Sequence, residues 1–270
     1  MTGPAAPPDP DLRVEPRRLG GTVPARLYHP PGGEAAALLV FAHGGGFSWG
    51  TLDDYDPICR RLALGTGSLV VSVDYRLAPA HRFPAGFDDL ALASRWAAEN
   101  RTRLVPDSAP LVVAGDSAGA CLAAGVAQKA AGGDGPAFDG QLLIYPMLEY
   151  SDRTPPEFHA LAERFPPSHA AIRGAWDAYL DPAGSTLPDF AVPPRTAELS
   201  GLCPALVLVA ENDPLRFEAL LYADKLRRAG IAAADRSYDG VAHGFLNDLP
   251  PGHPAVGAAL AEIAAWIASL

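Results

Sequence analysis

Short apolar runs rich in β-branched and aliphatic residues recur along the chain, at 36–42, 68–74, 111–114, 141–145, 206–210 and 232–238. Longer helix-like stretches separate them, and that alternation predicts a mostly parallel central sheet flanked by helices. Leu215, Ala219, Tyr222 and Leu226 fall at i, i+4, i+7 and i+11, which gives that segment one apolar face, and Gly230 closes it. The same spacing returns at Val256, Leu260, Ile263 and Ile267, just after Pro254, so the chain is expected to end on a packed helix. Ahead of the first core strand, residues 12–18 and 22–28 flank Gly20-Gly21 and read as a hairpin at the sheet edge. Residues 149–204 break the rhythm. Pro155, Pro156, Pro166, Pro167, Pro182, Pro188, Pro193 and Pro194 surround a single helix-like stretch at 168–180, and the region reads as an excursion over the sheet, a reduced lid.

The chain has 270 residues, of which 49% are hydrophobic, enough for one large α/β domain spanning 1–270 with its own core. No apolar run reaches the roughly 18 residues that a membrane span requires, so the protein is expected to be soluble. The first ten residues carry four prolines, no basic residue and no apolar core, unlike a secretory leader, and the expected location is cytoplasmic. Cys59, Cys121 and Cys203 are scattered and odd in number, which argues for buried thiols rather than a disulfide framework. A formal charge of −10 repels phosphate, so nucleic acid and anionic membrane surfaces are excluded as partners.

The chemistry concentrates in a few positions. Gly115-Asp116-Ser117-Ala118-Gly119 follows the apolar run 111–114 and opens a small-residue helix at 121–131. A nucleophile on such a sharp strand-to-helix turn needs glycines on both sides, because a side chain there would keep strand and helix apart. The helix also aims its N-terminal dipole and free N–H groups at a reacting carbonyl, so the Ala118 N–H is an oxyanion donor and the geometry favours acyl transfer. His43-Gly44-Gly45-Gly46-Phe47 follows the run 36–42 and so sits at the C-terminal end of a strand, where open α/β sheets bind ligands. Gly45 and Gly46 leave their N–H groups unshielded toward developing negative charge. A phosphate loop fits poorly, because no Gly-Lys-Ser/Thr follows and Trp49 stands where G-x-G-x-x-G needs glycine.

Ser117 needs a base, and His243 lies after it in a loop that directly follows a late strand. An imidazole titrating near neutrality can take the Ser117 proton and return it to a leaving alcohol. His29, His159 and His169 read as solvated or core residues, and His253, beside prolines, as a surface one. Asp213 falls just past the run 206–210 and before a helix, where it can orient the imidazole; it also suits an N-cap with Pro214 at the first helical position. Glu211 and Asp239 are rival acids, less well placed at the strand edge and only four residues before His243.

With these motifs, the sequence resembles the bacterial hormone-sensitive-lipase-like carboxylesterase family of the α/β-hydrolase superfamily. The likeness runs from about residue 35 to the C-terminus and includes Asp74-Tyr75-Arg76-Leu77-Ala78-Pro79, His81-Arg82-Phe83-Pro84-Ala85, Tyr145-Pro146, Asp213-Pro214-Leu215-Arg216 and His243-Gly244-Phe245. It implies an α/β-hydrolase fold, Ser117, Asp213 and His243 as the catalytic triad, and Gly45, Gly46 and Ala118 as oxyanion-hole donors. Two-step ester hydrolysis at this triad needs no cofactor and no metal, and no H-E-x-x-H or Cys/His cluster suggests otherwise. Two departures stand out: a proline-rich N-terminal segment, 1–34, where the family has a longer helical cap, and Phe217 where the family commonly has an acid. The expectation is a less covered site that admits bulky or carrier-bound acyl groups, or one covered by the second protomer of a homodimer. The expected activity is hydrolysis of small to medium acyl esters. The same triad also serves amidases, lactonases and acyltransferases, and the fold also carries non-catalytic receptors; these readings stay open at the level of sequence.

Overall fold

The computed structural model describes residues 12–149, 155–180, 187–193, 196 and 199–270. Pro182, Pro194 and the first ten residues, with their four prolines, lie outside the described residues.

Eight strands form one sheet: β1 (Arg13–Leu19), β2 (Val23–His29), β3 (Leu38–Ala42), β4 (Leu69–Val73), β5 (Leu111–Asp116), β6 (Gly140–Ile144), β7 (Ala205–Asn212) and β8 (Ala233–Ala242). Their order is β1-β2-β4-β3-β5-β6-β7-β8. β1 and β2 pair antiparallel in the expected hairpin, β2 joins β4 antiparallel, and every pairing from β4 to β8 is parallel. The apolar runs read from sequence match the strands to within a few residues; β3 to β6 are apolar because they are buried on both faces, whereas the edge strand β8 is half-buried or exposed along most of its length and carries Asp235, Arg236 and Asp239. β3, β4, β5 and β6 are buried along their whole length.

Alternation along these strands divides the core. Leu38, Val40, Val71, Val113, Leu143 and Val207 face one side, where α2 (Ala85–Leu104), α3 (Ala118–Ala131) and α6 (Arg216–Arg228) cover them. Leu39, Phe41, Val70, Val112, Leu142 and Leu208 face the other, under α1 (Asp56–Thr66) and the C-terminal helix, here α8 (Pro254–Ile267). Each fully buried Leu, Val or Phe side chain contributes about 1.5–3 kcal/mol relative to exposure, so the two layers account for the main stabilisation.

The 149–204 region holds α4 (Pro156–Ala162) and α5 (His169–Tyr179), and a short α7 (Phe245–Asp248) precedes α8. α4 was not apparent in the sequence, because seven residues between prolines are too few for a periodicity to register. α5 matches the stretch expected at 168–180, with the Ser168 hydroxyl accepting the Ala171 N–H as its N-cap. α6 begins at Arg216 rather than at Pro214, because the Asp213 carboxylate is turned inward and closes a local bond with the Leu215 N–H before the first turn. Cys59 and Cys121 are buried thiols as expected, whereas Cys203 is partly exposed.

Candidate active site

β3 is followed in sequence by β4 on one flank, whereas β5 lies on its other flank. The chain therefore reverses its winding at the C-terminal ends of β3 and β5, which is where an open sheet leaves a crevice. Ala42 pairs with Gly115, so His43–Phe47 and the Ser117 turn emerge side by side.

Ser117 sits between the end of β5 and the start of α3 with φ 53° and ψ −119°. A non-glycine residue there is strained by about 1–3 kcal/mol, and the surrounding structure holds it. Its N–H donates to the Ile144 carbonyl, and its own carbonyl accepts from Ala120 and Met147. A Cβ at Gly119 would lie 2.0 Å from the Ala42 carbonyl oxygen, so the first turn of α3 packs directly against the end of β3. Ser117 as a residue is 8% exposed.

His243 follows β8 at the turn into α7. Its Nε2 is 2.9 Å from Ser117 Oγ and its Nδ1 is 2.7 Å from Asp213 Oδ2. Asp213 is fully buried, so Nδ1 carries the proton donated to its carboxylate, and Nε2 faces the hydroxyl with its lone pair. Burial pulls the imidazole down, but the Asp213 charge and hydrogen bond outweigh it and hold His243 above its ordinary value; Asp116 and Asp248 add to the rise. The Tyr145 ring packs edge-on against the imidazole at 4.9 Å. Of the rival acids, Glu211 is exposed and accepts the Gly240 N–H, and Asp239 is exposed. His253 caps α8 by accepting the Ala255 N–H.

In the loop after β3, Gly45 has φ 92° and a Cβ there would fall 1.9 Å from the Trp49 carbonyl oxygen, which no side chain could tolerate. The Gly45 carbonyl accepts from Ser48 and Trp49. Among the described residues neither the Gly45 nor the Gly46 N–H donates to a protein acceptor. Phe47 anchors the loop: its ring stacks on Tyr179 of α5 at 3.9 Å and lies 5.2 Å from Trp176, and its carbonyl accepts from Ala78. Arg82 in turn donates to the carbonyls of Asp177, Ala178 and Leu180, tying down the end of α5.

Two buried acids were not singled out from sequence. Asp116, at the end of β5, accepts the Gly44 N–H at 2.8 Å, and burial pushes its carboxyl up to about 7. Glu218, on α6, accepts the Leu148 N–H at 2.6 Å, and burial pushes it up to about 8. A charged residue ending an all-apolar strand was the signal for Asp116. Nothing local marks Glu218, whose partner is 70 residues away. Among the described residues no group of three or more His, Cys, Asp or Glu side chains is arranged to hold a metal ion.

Comparison with known proteins agrees with this geometry. The alpha/beta hydrolase fold family matches residues 39–247. Carboxylesterase NlhH of Mycobacterium tuberculosis (strain ATCC 25618 / H37Rv) is 39% identical over 88% of this chain and 77% of its own. Ethyl acetate hydrolase of Pseudomonas putida is 37% identical over 85% of this chain and 73% of its own. Among solved structures, a hyperthermophilic esterase from the archaeon Pyrobaculum calidifontis superposes with a TM-score of 0.87 at 39% identity, covering 95% of this chain and 85% of that one. The chain belongs to the alpha/beta hydrolase fold family, as a relative of the hormone-sensitive-lipase-like carboxylesterases whose motifs it carries.

Proposed function

We propose that this chain is a serine carboxylesterase acting on small to medium acyl esters, with Ser117 as nucleophile, His243 as general base and acid, and Asp213 as the residue that orients the imidazole. The observation that carries this reading is the continuous chain of contacts from Ser117 Oγ to His243 Nε2 and from His243 Nδ1 to Asp213 Oδ2. Ser117 Oγ attacks the ester carbonyl while Nε2 takes its proton, and the oxyanion that forms is held by the N–H groups of Gly45, Gly46 and Ala118. Collapse breaks the bond to the alcohol oxygen, which leaves with the proton from Nε2. Water then gives its proton to Nε2, attacks the acyl carbonyl and releases the acid, and Ser117 recovers its proton. The names of two relatives, a carboxylesterase and an ethyl acetate hydrolase, support the choice of ester over amide or lactone. A non-catalytic binding role fits poorly, because nucleophile, base and orienting acid are all present and in contact. We read 149–204 as the cap of this site, since α5 packs on the loop that carries Gly45 and Gly46.

The test is hydrolysis of p-nitrophenyl acetate, butyrate, octanoate and laurate by the wild type and by Ser117→Ala, with folding checked by circular dichroism. The variant is expected to keep its fold and lose about 10⁴-fold or more in kcat. The chain-length profile of the wild type sizes the acyl pocket, and absence of activity on all four esters would overturn the reading.

A further inference from the structure

Asp116 is only 3% exposed, and a buried acid is costly unless it is well partnered. Its Oδ1 accepts the Gly44 N–H at 2.8 Å. Its Oδ2 lies 2.7 Å from where a Gly44 Cβ would stand, so the carboxylate fills the space over that glycine. The carbonyls on both sides of that amide are tied as well. The Gly44 carbonyl takes the Tyr75 hydroxyl and is 2.9 Å from His43 Nδ1, the His43 carbonyl takes the same hydroxyl, and the His43 ring is stacked between Tyr55 and Tyr75. Gly45 and Gly46, with their unclaimed N–H groups, follow directly. Asp116 also precedes Ser117, so one carboxylate links the turn that carries the nucleophile to the loop that carries two oxyanion donors.

We propose that Asp116 is a positioning residue for the oxyanion hole: its ionised carboxylate holds the Gly44 amide, and through it Gly45 and Gly46, in register with Ser117. This rests on the esterase reading above and adds a residue to it.

The groups around Asp116 isolate its charge. Burial pushes the phenols of Tyr55, before α1, Tyr75, after β4, and Tyr145, after β6, upward, and the Cys59 thiol on α1 up to about 12. Burial pushes His43 down to about 4. All five are neutral near pH 7; of the charged neighbours, His243 in its positive form favours ionised Asp116, and Asp248 on α7 in its negative form opposes it. Burial, against the Gly44 N–H and His243, places Asp116 itself at about 7. Its ionised fraction therefore grows as pH rises through neutrality, and the bond to Gly44 changes from a neutral to a charge-assisted one, about twice as strong.

The experiment compares wild type, Asp116→Asn and Ser117→Ala on p-nitrophenyl butyrate between pH 5 and 9, with inhibition by an aryl trifluoromethyl ketone, whose adduct oxygen occupies the oxyanion position. Circular dichroism and Tm report folding. Asp116→Asn is expected to lose about 10-fold in kcat with KM unchanged, a loss smaller than deletion of an oxyanion donor. The ketone Ki should weaken by the same factor, and the acid limb of kcat/KM should move to lower pH, because a negative charge that raises His243 is gone. Wild-type kcat and Ki in Asp116→Asn, or losses that match only its unfolded fraction, would overturn the proposal. If that variant does not fold, Asp116→Ser takes its place: an equal loss in kcat and in ketone Ki with KM unchanged supports the proposal, and wild-type kcat and Ki overturn it. An inactive Ser117→Ala with a wild-type-like Asp116→Asn sinks only the role of Asp116, whereas an active Ser117→Ala removes the nucleophile reading itself.

Discussion

Asp213 makes two separate commitments with one carboxylate: Oδ2 holds His243 Nδ1 and Oδ1 accepts the Leu215 N–H. The sequence suits Asp213 to both an orienting acid and an N-cap; the structure instead starts α6 at Arg216 behind Leu215, and the Asp213 carboxylate closes a local bond with the Leu215 N–H ahead of the helix. Replacement by Asn keeps the shape but offers an N–H to Nδ1, which favours the wrong tautomer, so Asp213→Asn is expected to lower kcat on p-nitrophenyl butyrate by about 10⁴-fold. Its residual activity should also show a shifted pH profile. In the proposed mechanism His243 acts as a base only when neutral, and Asp213 holds its pKa above the ordinary value, so wild-type activity is expected to fall as pH drops through that raised value. Without the carboxylate the acid limb moves to lower pH, which a kcat/KM profile reads directly. Gly119 is the residue-scale test of the fold, since an added Cβ meets backbone that cannot move aside. Gly119→Ala should destabilise by about 3 kcal/mol or more, measured as loss of Tm or of soluble protein.

Between elements, Glu218 is the least visible link. It fastens α6 to the segment leaving β6, where Met147 donates to the Ser117 carbonyl one residue before Leu148 donates to Glu218. Burial raises the Glu218 carboxyl to about 8 from its ordinary 4.5, so the folded protein keeps a proton that the unfolded chain releases. This contribution is full below the unfolded value and is lost as pH rises through the folded one. Glu218→Gln cannot ionise, and its amide oxygen can still accept from Leu148. The wild-type Tm is therefore expected to fall relative to Glu218→Gln between pH 5 and pH 8, and thermal melts at both pH values measure it. Phe217, where the family commonly has an acid, packs against the core, while Glu218 accepts the Leu148 N–H.

At the scale of the molecule, the winding of the sheet reverses where β3 and β5 lie adjacent, and every group of the proposed mechanism gathers at that end. None of the described helices is long and apolar enough to cross a membrane. A formal charge of −10 gives the molecule as a whole a net attraction for cations and repulsion for anions, over a distance that salt shortens. For a cationic choline ester kcat/KM is therefore expected to fall as sodium chloride is raised from 10 to 300 mM, by about a few-fold, and for a hemisuccinate ester to rise. Equal responses would show that local groups, rather than net charge, govern approach.

The core strands, the hairpin, α6, α8 and the sharp turn at Ser117 were legible in the sequence because local chemistry dictates them: unbroken apolar runs for doubly covered strands, an apolar face every three to four residues for helices, and glycines where backbones meet. Ser117, His243 and Asp213 could be chosen for the same reason, each following a strand. Only the tertiary structure could decide what depended on distant pairing. It turned the Asp213 carboxylate inward, set Asp116 against Gly44 through the β3–β5 register, brought Glu218 to Leu148 and seated Phe47 on Tyr179. Those contacts join residues far apart in the chain, and no local pattern encodes which amide a buried carboxylate will find.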